Sequence, residues 1–196
     1  MKTINWFNEI KLSIIATLLL LLLVSGVYPL VVWGISQAAF HRQANGSLIK
    51  NDQGVVIGSS LLAQSFTSAK YFHPRPSKAG SGYDATSSGG SNYGQTTQSL
   101  MDTIKARVIT YRTENGMDSN TLVPGDAVTA SASGLDPDIS LDNALLQVNR
   151  VAKARGTGAD NIEQMVRNKL QGRDLGVFGE PRVNVLLLNL ALDQGH

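Results

Sequence analysis

Residues 12–40 form an unbroken run of 29 residues without a formally charged side chain. About 20 apolar residues are enough for a helix to cross the hydrocarbon core of a bilayer. Residues 18–24 are nearly all leucine, and Tyr28 and Trp33 lie toward the distal end, where amphipathic rings favour the interface. The run therefore predicts one N-terminal transmembrane helix, with Pro29 either kinking it or marking its exit.

A cleaved signal peptide is the alternative interpretation of this run. Signal peptides have an apolar region of only about 7–15 residues that ends at a small-x-small site. Residues 36–39 offer a weak site of that kind, but the run before it is too long, which favours a retained anchor. Lys2 and Lys11 before the run nearly balance Arg42 and Lys50 after it. The short N-terminal flank favours a cytoplasmic N terminus and an extracytoplasmic soluble domain.

The chain has the length for an anchor and one domain. With 196 residues, of which 42% are hydrophobic, we expect a short flank at 1–11, the transmembrane helix at 12–40 and one soluble domain at 41–196. A net charge of +2 gives no reason to expect a nucleic-acid partner. The sequence contains no cysteine, which excludes disulfides, thiolate metal sites and thiol nucleophiles.

Helical and extended patterns both occur in residues 41–196, which predicts an α+β domain. A β-hairpin is expected with arms at 47–50 and 55–57, and further extended stretches at 66–72 and 122–133. Helices are expected at about 97–115, at 141–155 with Ser140 as its cap, and at 161–171 with an Asp160–Glu163 capping box. Residues 183–192 fit either a buried strand or a terminal helix begun by Pro181.

The usual catalytic motifs do not occur in this sequence. There is no P-loop, no G-x-S-x-G elbow and no H-E-x-x-H, and His41, His73 and His196 are too scattered to predict a metal site. We therefore predict no catalytic residue and no metal ligand. A chain with an anchor and no chemistry of its own is expected to work on a partner.

Six stretches, in order along the chain, resemble one family closely. They are residues 58–66 (GSSLLAQSF), 71–77 (YFHPRPS), 83–94 (YDATSSGGSNYG), 128–139 (VTASASGLDPDI), 148–155 (VNRVAKAR) and 179–192 (GEPRVNVLLLNLAL). With the preceding anchor, they are similar to the C subunits (KdpC) of the Kdp high-affinity potassium-transporting ATPases.

The resemblance implies a non-catalytic subunit of an ATP-driven potassium uptake pump, needed for its assembly and activity. It implies three partners in the bacterial inner membrane: a channel-like potassium-binding subunit, a P-type ATPase catalytic subunit and a small single-span subunit. The family is credited with a catalytic-chaperone role that raises the ATP affinity of the catalytic subunit. ATP is the one cofactor that the resemblance implies, and no cofactor is expected firmly.

Two features could serve a nucleotide. Ser88, Gly89, Gly90 and Ser91 form a loop whose N–H groups could cradle a phosphate, and Gln64 could bind an adenine edge. A Gly-Gly loop is more often a tight turn, and Gln64 is more simply a polar residue that ends a strand.

Seven residues are candidates for interfaces. Gly26 and Gly34 permit close helix packing, Arg75 suits an ion pair within the domain or across an interface, and Tyr83 and Tyr93 indicate an ordered loop. Asp136 and Asp138 could bind a cation, although turn-and-cap chemistry explains them better. Two other functions stay open: a stand-alone anchored extracytoplasmic binding module and, less favoured, an anchored hydrolase.

Overall fold

The structure is a computed structural model and describes residues 5–195. The chain divides into two compact units, residues 1–48 and 49–196. The first contains the apolar run, and the second contains most of the α+β domain.

One continuous helix, Trp6–Ala39, dominates the first unit. It consists of α1 (Trp6–Leu21), a π-helical stretch at Leu22–Val27 and α2 (Tyr28–Ala39), and a short helix, α3 (His41–Ala44), follows. The helix is long and apolar enough to cross a membrane, and none of its residues is buried within the chain. The expected N-terminal helix is thus confirmed.

Pro29 does not mark the exit of this helix, contrary to one of the two expectations. The helix continues for ten residues beyond it. The widened turns at Leu22–Val27 lie directly before the proline, and the N–H of Tyr28 donates to the carbonyl of Leu23, five residues back. A π-type turn accommodates the missing N–H and the ring of a proline without ending a helix.

The predicted β-hairpin comes next along the chain, and its strands are β1 (Leu48–Lys50) and β2 (Val56–Ser59). Asn51 shapes its turn, because its side-chain oxygen accepts hydrogen bonds from the N–H groups of Gln53 and Val55. Residues 66–72, which were expected to be extended, contain no β-strand. Their main-chain groups pair instead with side chains, among them those of Arg150 and Asn189.

The remaining elements form one α+β core. In chain order they are α4 (Gln98–Asn115), α5 (Gly125–Val128), β3 (Asp138–Ser140), α6 (Leu141–Arg155), α7 (Ala159–Asn168), β4 (Leu170–Gln171), β5 (Arg182–Asn184) and α8 (Val185–Gln194). The three short strands make an antiparallel sheet in the order β3-β5-β4, with Ile139 and Leu170 both opposite Val183. The predicted α+β class is confirmed.

Local signals place α4 and α6 as expected. Each helix ends at a glycine in the left-handed region, Gly116 with φ 62° and Gly156 with φ 67°. Ser140 caps α6, since its hydroxyl accepts the N–H of Asn143 at 3.1 Å.

Two local expectations were wrong, one on the bounds and cap of a helix and one on an extended stretch. The predicted helix at 161–171 is α7, which begins at Ala159 and ends at Asn168; Gly158 precedes it, and no side chain caps it, so Asp160 and Glu163 form no capping box. Leu170 and Gln171 then join the sheet. Residues 122–133 contain the short helix α5. In both places pairing with the sheet or packing on other elements outweighed the local pattern.

Residues 183–192 are a strand and a helix in succession. Asn184 ends β5, and its side-chain oxygen accepts the N–H of Leu187, which starts α8. Pro181 precedes the strand and does not begin the helix.

The core lies where α6, α7 and α8 meet the sheet. Its largest fully buried apolar side chains are those of Phe72, Ile139, Val151, Val166, Val183, Val185 and Leu188. Phe72 comes from an irregular segment, so the core depends on a stretch without regular secondary structure of its own.

Candidate functional site

Two amide side chains hold the main chain of residues 72–73. The N–H of Phe72 donates to Asn189 Oδ1 at 2.8 Å, and Asn189 Nδ2 donates back to the Phe72 carbonyl at 2.9 Å. Gln147 makes the same pair of hydrogen bonds with His73. The N–H of His73 donates to Gln147 Oε1 at 2.7 Å, and Gln147 Nε2 donates to the His73 carbonyl at 3.2 Å. Both amides are almost completely buried. They satisfy main-chain groups that have no strand partner in this irregular segment.

Arg150 is the second support of the same segment. Its guanidinium donates to the carbonyls of Ala69 and Tyr71 at 2.8 and 2.9 Å, to Gln147 Oε1 at 2.7 Å and to Asn115 Oδ1 at 3.0 Å. Burial lowers the pKa of Arg150, and the nearby Glu114 opposes that shift.

Arg155 continues this pattern one turn further along α6. It donates to the carbonyls of Lys70 and Leu192 and forms an ion pair with Asp193 at 2.8 Å. Arg150 and Arg155 at the end of α6 therefore bind other parts of their own domain, in addition to any effect on the helix dipole.

A cavity of about 270 Å³ lies between α4 and residues 73–76. His73, Tyr83, Arg107, Tyr111 and Glu114 contribute its polar lining. Desolvation, followed by the charge of Arg150, lowers the pKa of His73, so the imidazole is neutral at pH 7. Its Nδ1 lies 3.7 Å from a Glu114 carboxylate oxygen.

Tyr111 is held as a hydrogen-bond donor in this cavity. Its hydroxyl donates to Asn143 Oδ1 at 2.8 Å, and burial, together with the charge of Asp126, raises its pKa. A phenol in that state stays protonated at neutral pH and cannot serve as a base. Tyr83 and Arg107 are also engaged within the domain, since they donate to the main-chain carbonyls of Arg75 and Val128.

Arg75 and Asp136 form a partly buried ion pair within the domain, with Nη1 and Oδ2 2.8 Å apart. The hydroxyl of Tyr83 donates to the main-chain carbonyl of Arg75 at 2.8 Å, and its N–H donates to Ser77 Oγ. Ser77 in turn donates to the carbonyl of Gly134 at 2.6 Å. These bonds join the loop of residues 77–83 to the loop that precedes β3.

The glycine-rich loop packs on residues 131–134. Both the hydroxyl of Ser88 and the N–H of Gly89 donate to the carbonyl of Ser133, at 3.0 and 2.9 Å. A Cβ on Gly90 would lie 2.9 Å from the carbonyl oxygen of Ala132. The glycines therefore allow two backbones to approach closely. Phosphate binding by residues 88–91 stays a prediction.

The structure brings some candidate residues together and separates others. Arg75, Ser88 and Asp136 line one open groove of about 670 Å³, together with Leu61, Leu62 and Pro137. Gln64 is not among the groove residues and donates to the carbonyl of Ile57. Gln64 and Ser88 do not share this groove, and a nucleotide site formed by Gln64 and residues 88–91 stays a prediction.

Asp138 lies in the sheet, where it pairs with Arg182 at 3.3 Å. Burial first, and then the neighbouring Asp136, raise the pKa of Asp138. Asp136 Oδ1 accepts the N–H of Asp138 at 3.1 Å, as in an Asx turn. Among the described residues 5–195, no group of three or more His, Asp or Glu side chains could hold a metal ion.

The other interface candidates lie on the surface. Tyr93 is exposed, and Gly34 has open space where a side chain would stand. Near Gly26, a Cβ would meet only Leu22 of its own helix. These three residues are available to a partner.

Sequence motifs did not predict the buried amides Asn115, Asn143, Gln147 and Asn189. A signal was present, because Asn143 and Gln147 interrupt the apolar side of α6 at helical spacing and Asn189 interrupts an apolar run. The Tyr111 partner of Asn143 lies 32 residues away, and the Phe72 partner of Asn189 lies 117 residues away, which no local pattern reveals.

Comparison with known proteins assigns the chain to a family. Residues 10–194 match the family described as "KdpC: K+-transporting ATPase, c chain". A potassium-transporting ATPase KdpC subunit of Mycobacterium bovis is 52% identical over 184 residues, which is 93% of this chain and 97% of the relative. Those of Nitratidesulfovibrio vulgaris and of a Caulobacter species are 50% and 46% identical; the alignments cover 94% and 95% of this chain and 93% of each relative. The chain therefore belongs to the KdpC family, the c chains of K⁺-transporting ATPases.

Proposed function

We propose that this chain is a non-catalytic subunit that anchors in the inner membrane and braces the other subunits of a potassium uptake pump from the extracytoplasmic side. We also propose that the pump needs this chain for its assembly and activity. The chain would consist of a short flank at 1–11, the transmembrane helix at 12–40 and the soluble domain at 41–196.

The observation that carries the proposal is the exposure of the N-terminal helix. Trp6–Ala39 buries none of its residues within the chain, although large apolar side chains surround it. A single helix encloses no path for an ion, since a path needs several helices around it. Lipid and the helices of partner subunits are the surroundings that suit such a surface.

The domain supports the same proposal. Its most buried polar groups, among them Asn143, Gln147 and Asn189, are occupied with holding its own segments. A rigid domain built in this way suits a bracing role, in which it offers a fixed surface to a neighbour. The partners we propose are the channel-like potassium-binding subunit, the P-type catalytic subunit and the small single-span subunit.

Direct binding of ATP fits this arrangement poorly. ATP is cytoplasmic, whereas the short N-terminal flank favours an extracytoplasmic domain. The hydroxyl of Ser88 and the N–H of Gly89 already donate to Ser133. An effect on the ATP affinity of the catalytic subunit would then be transmitted through the partners.

Two measurements test the proposal. Removal of this chain from the complex should abolish stable co-purification of the large subunits and lower their potassium-stimulated ATP hydrolysis. Unchanged assembly and turnover would contradict the proposed function. Protease added to intact spheroplasts should digest the domain, whereas protection would place it in the cytoplasm and reopen a direct role for ATP.

A further inference from the structure

Three large apolar side chains project from one tight turn of the soluble domain. Leu175, Val177 and Phe178 are 90%, 68% and 64% exposed, and they belong to the loop between β4 and β5. We call residues 173–180 the finger. Single exposed apolar residues are ordinary on a protein surface, but three within four residues form a contiguous patch.

The backbone of the finger is ordered by its own hydrogen bonds. Asp174 and Phe178 pair as an antiparallel bridge, with N–H to carbonyl distances of 2.8 and 2.9 Å in the two directions. The N–H of Val177 also donates to the carbonyl of Asp174. A loop held in this way presents its side chains in one arrangement, which reduces the entropy lost when a partner binds.

Leu175 adopts a backbone conformation that its side chain disfavours. Its φ is 54°, and the next residue, Gly176, has φ 78°. Two successive positive φ values favour Asn-Gly or Gly-Gly, because a Cβ in the left-handed region meets its own backbone. Leucine gains nothing here from burial in the domain. Strain at an exposed apolar residue is a sign of function rather than of folding.

The charges around the finger neutralise one another. Arg173 pairs with Glu180 at 2.7 Å, and Arg182 pairs with Asp174 at 3.3 Å and with Asp138 at 3.3 Å. The tip itself, residues 175–179, has no charge. Attraction to an anionic lipid surface relies on unpaired Lys or Arg, and the finger has none, because its Arg173 pairs with Glu180. The finger therefore matches an uncharged apolar pocket on a protein.

We propose that the finger inserts Leu175, Val177 and Phe178 into an apolar, uncharged pocket on another subunit of the same transporter. The inference rests on the proposed function, since it requires that partner subunits exist. It adds the surface through which the domain would hold one of them.

The test uses the full chain, tagged and co-produced with the other subunits, then solubilised and washed on the affinity matrix. In Leu175→Asn and Phe178→Ser, the rate at which partner subunits wash off should rise about tenfold, as for a residue that anchors an interface. Leu122→Asn is the matched control, because Leu122 is 88% exposed and lies outside the finger. It should release partners at the unaltered rate.

The effect on folding separates binding from structure. Asparagine tolerates positive φ better than leucine, so Leu175→Asn should keep or raise the thermal unfolding midpoint of the chain while it weakens assembly. Wild-type retention of partners by both finger variants would overturn the inference and leave the proposed function standing. Failure of the unaltered chain to retain any partner would overturn both.

A photo-crosslinker distinguishes a protein pocket from a lipid surface. With p-benzoylphenylalanine in place of Phe178, irradiation of membranes should join this chain to one other subunit of the transporter. Adducts with lipid alone would overturn the inference. The same crosslinker in place of Leu122 is the control and should give no such product.

Discussion

Asn189 and Phe72 exchange two hydrogen bonds across 117 residues of sequence, with the main chain of Phe72 as both donor and acceptor. Both residues are buried. One amide side chain thus fastens the irregular segment of residues 71–77 to the last helix, α8. The stability of the domain should depend on this contact.

Asn189→Leu should destabilise the domain by about 2–4 kcal/mol, because two buried main-chain groups would lose their partners at once. Urea unfolding of the detergent-solubilised chain measures the change in the free energy of unfolding. Asn168→Leu, on the exposed side of α7, is the matched control and should change it little. Equal stability of the two variants would show that the Asn189 contact is dispensable.

Arg150→Lys should lower the free energy of unfolding by about 2 kcal/mol, although the charge is kept. Lysine cannot reproduce the planar fork that reaches Ala69, Tyr71 and Asn115 together. The control is Arg167→Lys, whose exposed pair with Glu163 contributes at most about 0.5 kcal/mol. A small loss in Arg150→Lys, similar to that of the control, would argue against this bracing role.

Gly134→Ala should lower the free energy of unfolding by about 2 kcal/mol or more, because it disturbs the packing of the glycine-rich loop on residues 131–134. Gly134 has φ 68°, and a Cβ there would lie 2.6 Å from backbone atoms of Ala79 and Gly89. Gly89→Ala, in the glycine-rich loop itself, is the control, because its Cβ would meet only the carbonyl of Lys78 at 3.9 Å. Thermal unfolding of the two variants should therefore separate clearly, and a coincidence of their midpoints would contradict the close packing.

Stability should fall as the pH drops from about 6.5 into the acid range, partly through His73. Burial lowers the pKa of His73 in the folded state, so below pH 6.5 the unfolded chain binds the proton more readily. The loss is complete once the pH passes below the folded pKa. The free energy of unfolding at pH 7.5 and 5.5 measures it.

His73→Gln should reduce this difference between the two pH values, since no imidazole remains at position 73 to titrate. His41→Gln, at an exposed position in the short helix α3, controls for the loss of a histidine elsewhere. An undiminished pH dependence in His73→Gln would assign the effect to other groups.

Features that depend on neighbouring residues were predictable. The N-terminal helix follows from composition, and α4 and α6 follow from apolar spacing, from Ser140 as a cap and from Gly116 and Gly156 as ends. The hairpin follows from the turn at Asn51. Capping, turn formation and helical spacing act over a few residues, so the order of amino acids shows them directly.

Features that depend on distant residues were not predictable in this way. Whether Arg75 pairs with Asp136 within the domain was open until the fold placed the two side chains 2.8 Å apart. The switch from β5 to α8 at Asn184 was equally open, because the apolar run has no single period. The hydrogen bonds from Asn189 and Gln147 to residues 72–73 were not predictable either, and neither was the exposure of the finger. Local order dictates which helices and turns can form, whereas burial and long-range pairing exist only after the chain has folded.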